Sequence, residues 1–255
     1  MFNPCVLIPV YNHPHVIAAT VTAVRNKQLP VVLIDDGSDA ACAEILQQLA
    51  AADTQVYLQR LPCNSGKGGA VKSGFFFARD LGFSHALQID ADGQHDLTAI
   101  DRFLDCARAN PSALIAGTPE YDSDVPALRY YSRYLTHVWV WINTLSLAIK
   151  DSMCSFRVYP LQACCELVEQ HRLGDRMDFD IEFIVHWYWR GHALVQQPIR
   201  VSYPEGGISH FRGWHDNWLI SCMHTRLFFG MLIRLPRLLS RSISGRKRAA
   251  KGASL

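Results

Sequence analysis

Short apolar runs alternate with amphipathic segments along the first half of the chain. The apolar runs predict five strands, at residues 5–9, 31–35, 56–60, 86–90 and 113–117. The segments between them predict helices near residues 16–26, 40–51, 70–81 and 97–109. Strands that alternate with helices are typical of a mainly parallel sheet covered by crossover helices. The first half therefore predicts an α/β fold.

The second half is less regular, and its longest apolar segments have helical spacing. Residues 128–149 predict an aromatic helix, 156–160 a short strand and 178–190 another helix. Residues 216–239 predict an amphipathic helix, which Pro236 should kink or end. Charged residues interrupt both long segments before the roughly 18 apolar residues of a spanning helix are reached. Interfacial attachment is therefore the better prediction than spanning.

Length and charge suggest how the chain is divided. With 255 residues, 49% of them hydrophobic, one large domain is expected over residues 1–212. A helical extension is expected over 213–239, and a basic, disordered tail over 240–255. No acidic residue follows Asp216, whereas eight lysines and arginines do. This asymmetry indicates an anionic partner. The apolar helix beside it favours a membrane surface, and no nucleic acid is expected.

The eight cysteines and the N-terminus point to the same compartment. No C-x-x-C pair and no zinc-ligand spacing occurs among the cysteines, which predicts free, mostly buried thiols. The first residues have no basic segment followed by a long apolar one, so no secretory signal is visible. A reducing cytoplasm fits both observations.

The fourth predicted strand runs directly into two acids. Asp90 and Asp92 follow the mainly apolar residues 86–89, and Gly93 comes next. Open α/β sheets bind ligands at the carboxyl ends of their strands. Carboxylates there suit a hard divalent cation that shares its coordination with water and substrate phosphates. The segment predicts a metal-diphosphate site. A loop with two solvated acids, or a helix N-cap, is the alternative.

Two other strands end in polar residues. The first strand continues into residues 8–13, IPVYNH, and the second ends in Asp35 and Asp36 followed by Gly-Ser. Because parallel strands end at one edge, these residues could join the same site. A plain turn with Ser38 or Asp39 as helix N-cap would use the same residues.

A glycine-rich segment, residues 64–75, opens the third helix. Such a segment offers backbone N–H groups and a positive helix end to an anion. It differs from a Walker A loop because Gly68 stands where Ser or Thr should follow Lys67. Close helix packing with a solvated Lys67 is the alternative.

Together, these segments resemble the family 2 glycosyltransferases, most closely the branch with dolichyl-phosphate mannose and polyprenyl-phosphate glucose synthases. The motifs that carry the resemblance are IPVYNH at 8–13, IDDGS at 34–38, NSGKGGAVKSGF at 64–75, QIDADGQHD at 88–96, DSMCSFRVYP at 151–160 and MDFDIEFIVHWYWRGH at 177–192. They cover about residues 4–212. A narrower likeness is to glycosyltransferases encoded with bacterial aryl-polyene pigment genes.

The resemblance implies a GT-A fold that binds a UDP- or GDP-linked sugar over the sheet edge. The residues that it implies for the donor are Pro9, Tyr11, Asn12, Asp35, Asp36, Lys67, Asp90, Ala91, Arg129, Arg133 and His210. It places Mg²⁺ or Mn²⁺ at Asp92, with Asp90 and Gln94 assisting. The metal and nearby cations, among them Arg157 and Arg212, would stabilise the departing nucleoside diphosphate.

Three acids at the start of the helix predicted over 178–190 are the acid–base candidates. Asp178 and Glu182 are four residues apart and share a helix face, with Asp180 offset by two. A general base is needed if the acceptor is a neutral hydroxyl, and less so if it is an ionised phosphate. Salt bridges to Arg176 or Arg190 are the alternative role for these acids.

The expected function is metal-dependent, inverting transfer of one sugar to a lipid-linked or strongly apolar acceptor. The Q-x-x-R-W motif of processive polysaccharide synthases is absent, which favours a single transfer. The expected location is cytoplasmic, peripherally bound to the inner face of the cytoplasmic membrane. The alternatives are a catalytically inactive GT-A-like membrane adaptor and a sugar-phosphate nucleotidyltransferase. The latter typically has a basic glycine-rich loop after the first strand, where this chain has IPVYNH.

Overall fold

The structure is a computed structural model of the chain. It describes the backbone of residues 1–120, 127–201 and 213–252, and the side chains of 1–120, 133–201 and 216–241. Everything below refers to these residues.

Seven strands form one sheet. They are β1 Pro4–Val10, β2 Val31–Asp35, β3 Val56–Arg60, β4 His85–Gln88, β5 Leu114–Glu120, β6 Arg157–Pro160 and β7 Leu194–Arg200. Their order is β3-β2-β1-β4-β6-β5-β7, and β6 alone among them runs antiparallel to its neighbours. In the register of β1, Val10 lies opposite Asp35, and Leu7 lies opposite Gln88. The polar ends of β1, β2 and β4 therefore meet at one edge, as predicted.

Eight helices surround the sheet. They are α1 Pro14–Asn26, α2 Ala40–Ala52, α3 Lys67–Asp80, α4 Ile100–Ala109, α5 Ala127–Thr144, α6 Leu161–Gln170, α7 Phe179–Arg190 and α8 Gly213–Gly252. A short 3₁₀ turn, Leu97–Ala99, precedes α4. One core cluster contains residues of α3, α6, α7 and α8, and the other contains residues of α1, α2 and α4. The α/β fold with helices on both faces is confirmed.

Helix α8 is longer than the sequence predicted. Its backbone stays helical through Pro236 to Gly252, where we expected a break near Leu239 and a disordered tail. Proline removes one helical hydrogen bond. Met231 and Leu238 are buried on either side of Pro236, and their packing holds the helix together across it. The expectation that Pro236 ends the helix was therefore wrong, and the alternative of a kink stays a prediction.

Two elements were not predicted, and one ends early. Helix α6 and strand β7 lie outside the motifs that the sequence analysis used. Helix α5 stops at Thr144 rather than near residue 149, because Leu145 adopts a left-handed conformation with φ 50°.

All eight cysteines are free, and five are buried, as predicted.

Candidate active site

Asp90 lies at the centre of a polar cluster just beyond β4. Its Oδ2 accepts hydrogen bonds from Ser155 Oγ at 2.6 Å and from Lys67 Nζ at 2.9 Å. Its Oδ1 accepts one from Gln88 Nε2 at 3.3 Å. The Asp90 N–H donates to His95 Nδ1 at 3.3 Å, just beyond the end of β4 at Gln88. Both carboxylate oxygens of Asp90 therefore have protein partners.

Lys67 joins this cluster to helix α7. Its ammonium lies 2.9 Å from Asp90 Oδ2 and 3.3 Å from Asp180 Oδ2. The alternative of a solvated Lys67 is wrong, because its side chain is only 20% exposed. The glycine-rich segment at the N-terminus of α3 thus places one cation between a predicted donor-binding acid and a predicted catalytic acid.

The cluster favours charged forms of both partners. Burial alone would raise the pKa of the Asp90 carboxyl, but Lys67, His95 and Ser155 lower it below its usual range. Burial alone would lower the pKa of the Lys67 ammonium, but Asp180 and Asp90 raise it. We conclude that Lys67 is a cation and Asp90 a carboxylate at neutral pH.

Of the predicted metal ligands Asp90, Asp92 and Gln94, Asp92 has the carboxylate that could still take a divalent cation. Asp92 is half-buried, and its Oδ1 accepts only the Gln94 backbone N–H at 3.0 Å among the described contacts. A carboxylate and an amide oxygen suit a cation that keeps water and substrate phosphates as its other ligands. Asp90 fits this role less well because its oxygens are already engaged. No group of three or more acids, histidines or cysteines that could hold a metal occurs among the described residues.

Asp35 and Asp36 organise the neighbouring loops. Asp36 Oδ1 and Oδ2 accept the backbone N–H groups of Ser65 and Gly66 at 2.6 and 2.9 Å. Burial raises the pKa of the Asp36 carboxyl, and these hydrogen bonds oppose the rise. Asp35 Oδ1 accepts the Ser38 N–H at 2.8 Å, and its Oδ2 lies 3.2 Å from Arg60 Nη1. Both residues are nearly fully buried. Their predicted contacts with a nucleotide-sugar therefore compete with these hydrogen bonds and with the Arg60 ion pair.

The end of β1 is tied to the start of α2. The Asn12 N–H donates to Ser38 Oγ at 3.1 Å, and Asn12 Oδ1 accepts the Asp39 N–H at 2.9 Å. Asp39 caps α2 by accepting the Cys42 N–H at 2.9 Å, so the N-cap alternative for this turn is correct. Pro9, Tyr11 and Asn12 are half-buried at the sheet edge, and Ala91 is buried beside them.

The three candidate acids of α7 separate into two environments. Asp180 faces Lys67, and its Oδ1 is buried without a hydrogen bond among the described residues. Asp178 and Glu182 lie on another side of the helix, where Arg226 Nη2 is 3.9 Å from Asp178 Oδ2 and 3.3 Å from Glu182 Oε1. The expected alternative partners, Arg176 and Arg190, are therefore wrong. Only Asp180 belongs to the Asp90 cluster.

Arg157 is placed as a structural residue rather than a catalytic one. Its side chain is 0% exposed. Its guanidinium donates to the carbonyls of Cys154, Asp180 and Ser152 at 2.7, 2.9 and 2.8 Å. Because every guanidinium nitrogen serves a backbone carbonyl, contact with a leaving group would require breaking these bonds. This geometry favours a structural role for Arg157 over the predicted catalytic one.

Of the remaining predicted cations, the structure describes the side chain of Arg133 alone. Arg133 forms a two-pronged ion pair with the buried Asp151, at 2.8 to 3.1 Å, so it is engaged within the protein. Arg129 lies in the helical backbone of α5, but its side chain is outside the described part. His210 and Arg212 lie in 202–212, which the structure does not describe.

The sequence did not single out His95 or Arg226 as site residues. His95 follows the two acids in the motif QIDADGQHD, so its position offered a signal. Arg226 gave none, because it lies 44 residues from its partner Glu182. Its contact arises only when α8 packs on α7.

The family model of Glycosyl transferase family 2 matches residues 5–163. A polyprenol monophosphomannose synthase from Mycolicibacterium smegmatis is 26% identical over 228 residues, 82% of this chain and 80% of that protein. A dolichyl-phosphate beta-glucosyltransferase from Dictyostelium discoideum is 26% identical over 202 residues. The latter match covers 70% of this chain and 60% of that protein.

Solved structures share the fold at low sequence identity. Glucosyl-3-phosphoglycerate synthase from Mycobacterium tuberculosis has a TM-score of 0.61 at 14% identity, covering 91% of this chain and 80% of that one. A mannosyltransferase from Pyrobaculum calidifontis, solved with GDP-Man and Mn²⁺, has a TM-score of 0.56 at 15% identity. It covers 91% of this chain and 64% of its own. The fold is that of GT-A glycosyltransferases, and the chain belongs to glycosyl transferase family 2.

Proposed function

We propose that this protein transfers one sugar from a UDP- or GDP-linked donor to a polyprenyl-phosphate lipid, with inversion at the anomeric carbon. The observation that carries this proposal is the bridge from Asp90 through Lys67 to Asp180. It brings the predicted donor site and the predicted catalytic helix within one cluster. The relatives named for polyprenol and dolichyl phosphates support the acceptor class.

In this mechanism an acceptor oxygen forms the new bond to the anomeric carbon while the bond to the diphosphate breaks. Asp180 is the acid that lies beside the reacting groups, and its buried Oδ1 has no hydrogen bond among the described residues. It accepts the proton if the acceptor oxygen carries one, and orients the acceptor if the phosphate is already ionised. A divalent cation held by Asp92 and Gln94 would stabilise the charge of the leaving diphosphate.

Exposed apolar side chains support a membrane-bound acceptor. They lie on α5 and α8 and in the loop after α5: Tyr134, Leu135, Trp139, Ile142, Leu147, Trp218, Phe229, Leu232, Ile233 and Leu239. Helices α5 and α8 pack on each other, and many exposed apolar side chains on neighbouring elements are typical of an interaction site. No described helix is long and apolar enough to cross a bilayer. We propose peripheral attachment to the inner face of the cytoplasmic membrane.

The test is sugar transfer to undecaprenyl phosphate from radiolabelled UDP- and GDP-sugars, with Mg²⁺, Mn²⁺ or EDTA. We expect a lipid-linked sugar, released nucleoside diphosphate and loss of both with EDTA. Asp180→Asn should lower kcat by about 10²–10⁴-fold, the usual contribution of a positioned acid or base. Asp101→Asn is the matched control, because Asp101 pairs only with the surface residue Lys27 among the described contacts.

Two outcomes would replace the proposal. Vesicle binding without turnover from any donor would favour the inactive adaptor. Release of pyrophosphate from a nucleoside triphosphate and a sugar phosphate would favour the nucleotidyltransferase.

A further inference from the structure

Three arginines of α8 lie along the length of α7. Arg226 Nη2 contacts both carboxylate oxygens of Glu182 at 3.3 Å. The guanidinium carbon of Arg234 lies 4.6 Å from the centroid of the Trp189 ring. Arg241 Nη1 donates to the carbonyls of Tyr188 and Trp189 at 3.2 and 2.9 Å. These cations, which the sequence suggested for an anionic partner, therefore make contacts within the protein.

Arg241 and Arg226 complement the negative charge at the two ends of α7. The last carbonyls of a helix lack helical partners and carry partial negative charge, so Arg241 is stabilising at the C-terminus. At the N-terminus, the side chains of Asp178 and Glu182 are only 5% and 3% exposed. Two buried carboxylates need a countercharge. Arg226 supplies it from α8.

The two acids that Arg226 contacts hold the segment before α7. Glu182 Oε2 accepts the Gly174 N–H at 2.7 Å, and Asp178 Oδ1 accepts the Arg176 N–H at 3.2 Å. Between these two residues, the Asp175 carbonyl accepts the Gly69 N–H at 2.9 Å. Glu182 thus fixes segment 171–178 to α7, whereas Asp178 closes a turn within the segment. The Gly69 N–H joins the segment to the start of α3.

The start of α3 fits closely against this segment. A Cβ on Gly68 would lie 2.4 Å from Phe179 Cβ, and one on Gly66 would lie 2.6 Å from the Asp175 carbonyl oxygen. Glycines at these positions let the two backbones approach. A shift of segment 171–178 would therefore move the helix start that carries Lys67.

We propose that Arg226 is a positioning residue for the transfer reaction, and that it acts through Asp178 and Glu182 to fix Lys67 and Asp180. This inference rests on the proposed function. The Arg226 side chain is 53% exposed, and α8 also carries the exposed side chains of Trp218, Phe229 and Ile233. The helix that we expect to contact lipid is thereby linked directly to the turn that carries Asp180.

Arg226→Gln should lower kcat by about 100-fold, the effect expected when reacting groups are displaced by about 1 Å. The KM for the nucleotide-sugar should rise as well, because the displaced Lys67 is one of the predicted donor residues. Arg226→Lys should keep most of the activity, because Nη2 alone makes the ion pairs and a point charge can replace it. Arg237→Gln, another exposed arginine of α8, is the matched control.

A double variant distinguishes this role from a simple loss of packing. Arg226→Gln combined with Glu182→Gln removes one of the two unpaired charges, that of Glu182, but keeps an acceptor for the Gly174 N–H. We expect it to be more active than Arg226→Gln alone, since contacting residues are non-additive. Wild-type kcat in Arg226→Gln, or no recovery in the double variant, would overturn the proposal.

Amide hydrogen exchange gives a readout that does not need turnover. Arg226→Gln should speed exchange at Gly174 and Gly69 while Arg237→Gln leaves it unchanged. Unchanged exchange at both amides would overturn the positioning role. If wild type shows no transfer, the proposed function fails, whereas the exchange result still decides whether Arg226 holds this segment.

Discussion

Replacing Lys67 by Met should destabilise the protein strongly. The substitution keeps an unbranched chain of similar length but removes the cation 2.9 Å from Asp90 and 3.3 Å from Asp180. Breaking a buried ion pair by removing one partner costs about 3–5 kcal/mol. The side chains of Lys67 and Asp90 are 20% and 22% exposed, so water compensates part of this loss. We expect about 3 kcal/mol, the lower end of that range.

The assay is thermal unfolding of wild type, Lys67→Met and Lys150→Met at several pH values. For a domain of this size, about 3 kcal/mol lowers Tm by about 6–12 °C. Lys150 is exposed, and no described contact involves its side chain, so Lys150→Met should stay within about 0.5 kcal/mol of wild type. The size of the Lys67→Met deficit at pH 7 is the first measurement.

The pH dependence provides the second. Because the folded-state pKa of Asp90 lies below its usual range, its stabilising contribution is complete above the unfolded pKa, about 4. That contribution is lost as the pH falls from there toward the folded value. The difference between wild type and Lys67→Met should therefore be largest at pH 7 and shrink below about pH 4. A Tm within 2 °C of wild type, roughly below the 1 kcal/mol level, would refute the reasoning, as would a deficit independent of pH.

Three further variants test separate parts of the account. Gly68→Ala should cost about 1–3 kcal/mol, because its Cβ would lie 2.4 Å from Phe179 Cβ; an unchanged urea midpoint would contradict this packing. Trp218→Ser with Ile233→Ser should reduce sedimentation with phosphatidylglycerol vesicles. These side chains are 69% and 81% exposed, so stability should change little, and undiminished sedimentation would exclude this surface. Asp92→Asn should abolish the Mn²⁺-dependent part of donor binding, measured by calorimetry, and full retention would remove Asp92 as a ligand.

The sheet edge could be predicted from the sequence because its signals are local. An apolar run that ends in Asp90 or Asp35 identifies both the strand and the carboxylate at its end. The Gly-Lys-Gly segment likewise identified the start of α3, although it did not indicate that Lys67 would face two acids.

Other parts of the site depend on contacts that no local pattern contains. The motif at residues 151–160 predicted Arg157 as a catalytic cation. In the fold, however, Arg157 is completely buried and donates to three backbone carbonyls. The division of α7 between Asp180 and the pair Asp178 and Glu182 follows from helix geometry. Which side meets Lys67 and which meets Arg226 depends on how α3 and α8 pack.

The most direct test of the central claim is transfer of radiolabelled sugar to undecaprenyl phosphate by wild type, Asp180→Asn and Glu182→Gln. The account predicts metal-dependent formation of a lipid-linked sugar by wild type. Asp180→Asn should lose the chemical step, with kcat lowered by about 10²–10⁴-fold and donor binding retained. Glu182→Gln, which keeps a hydrogen-bond acceptor for Gly174, should lose less. Full activity in Asp180→Asn, or a larger loss in Glu182→Gln, would contradict the assignment of Asp180 to the reaction centre.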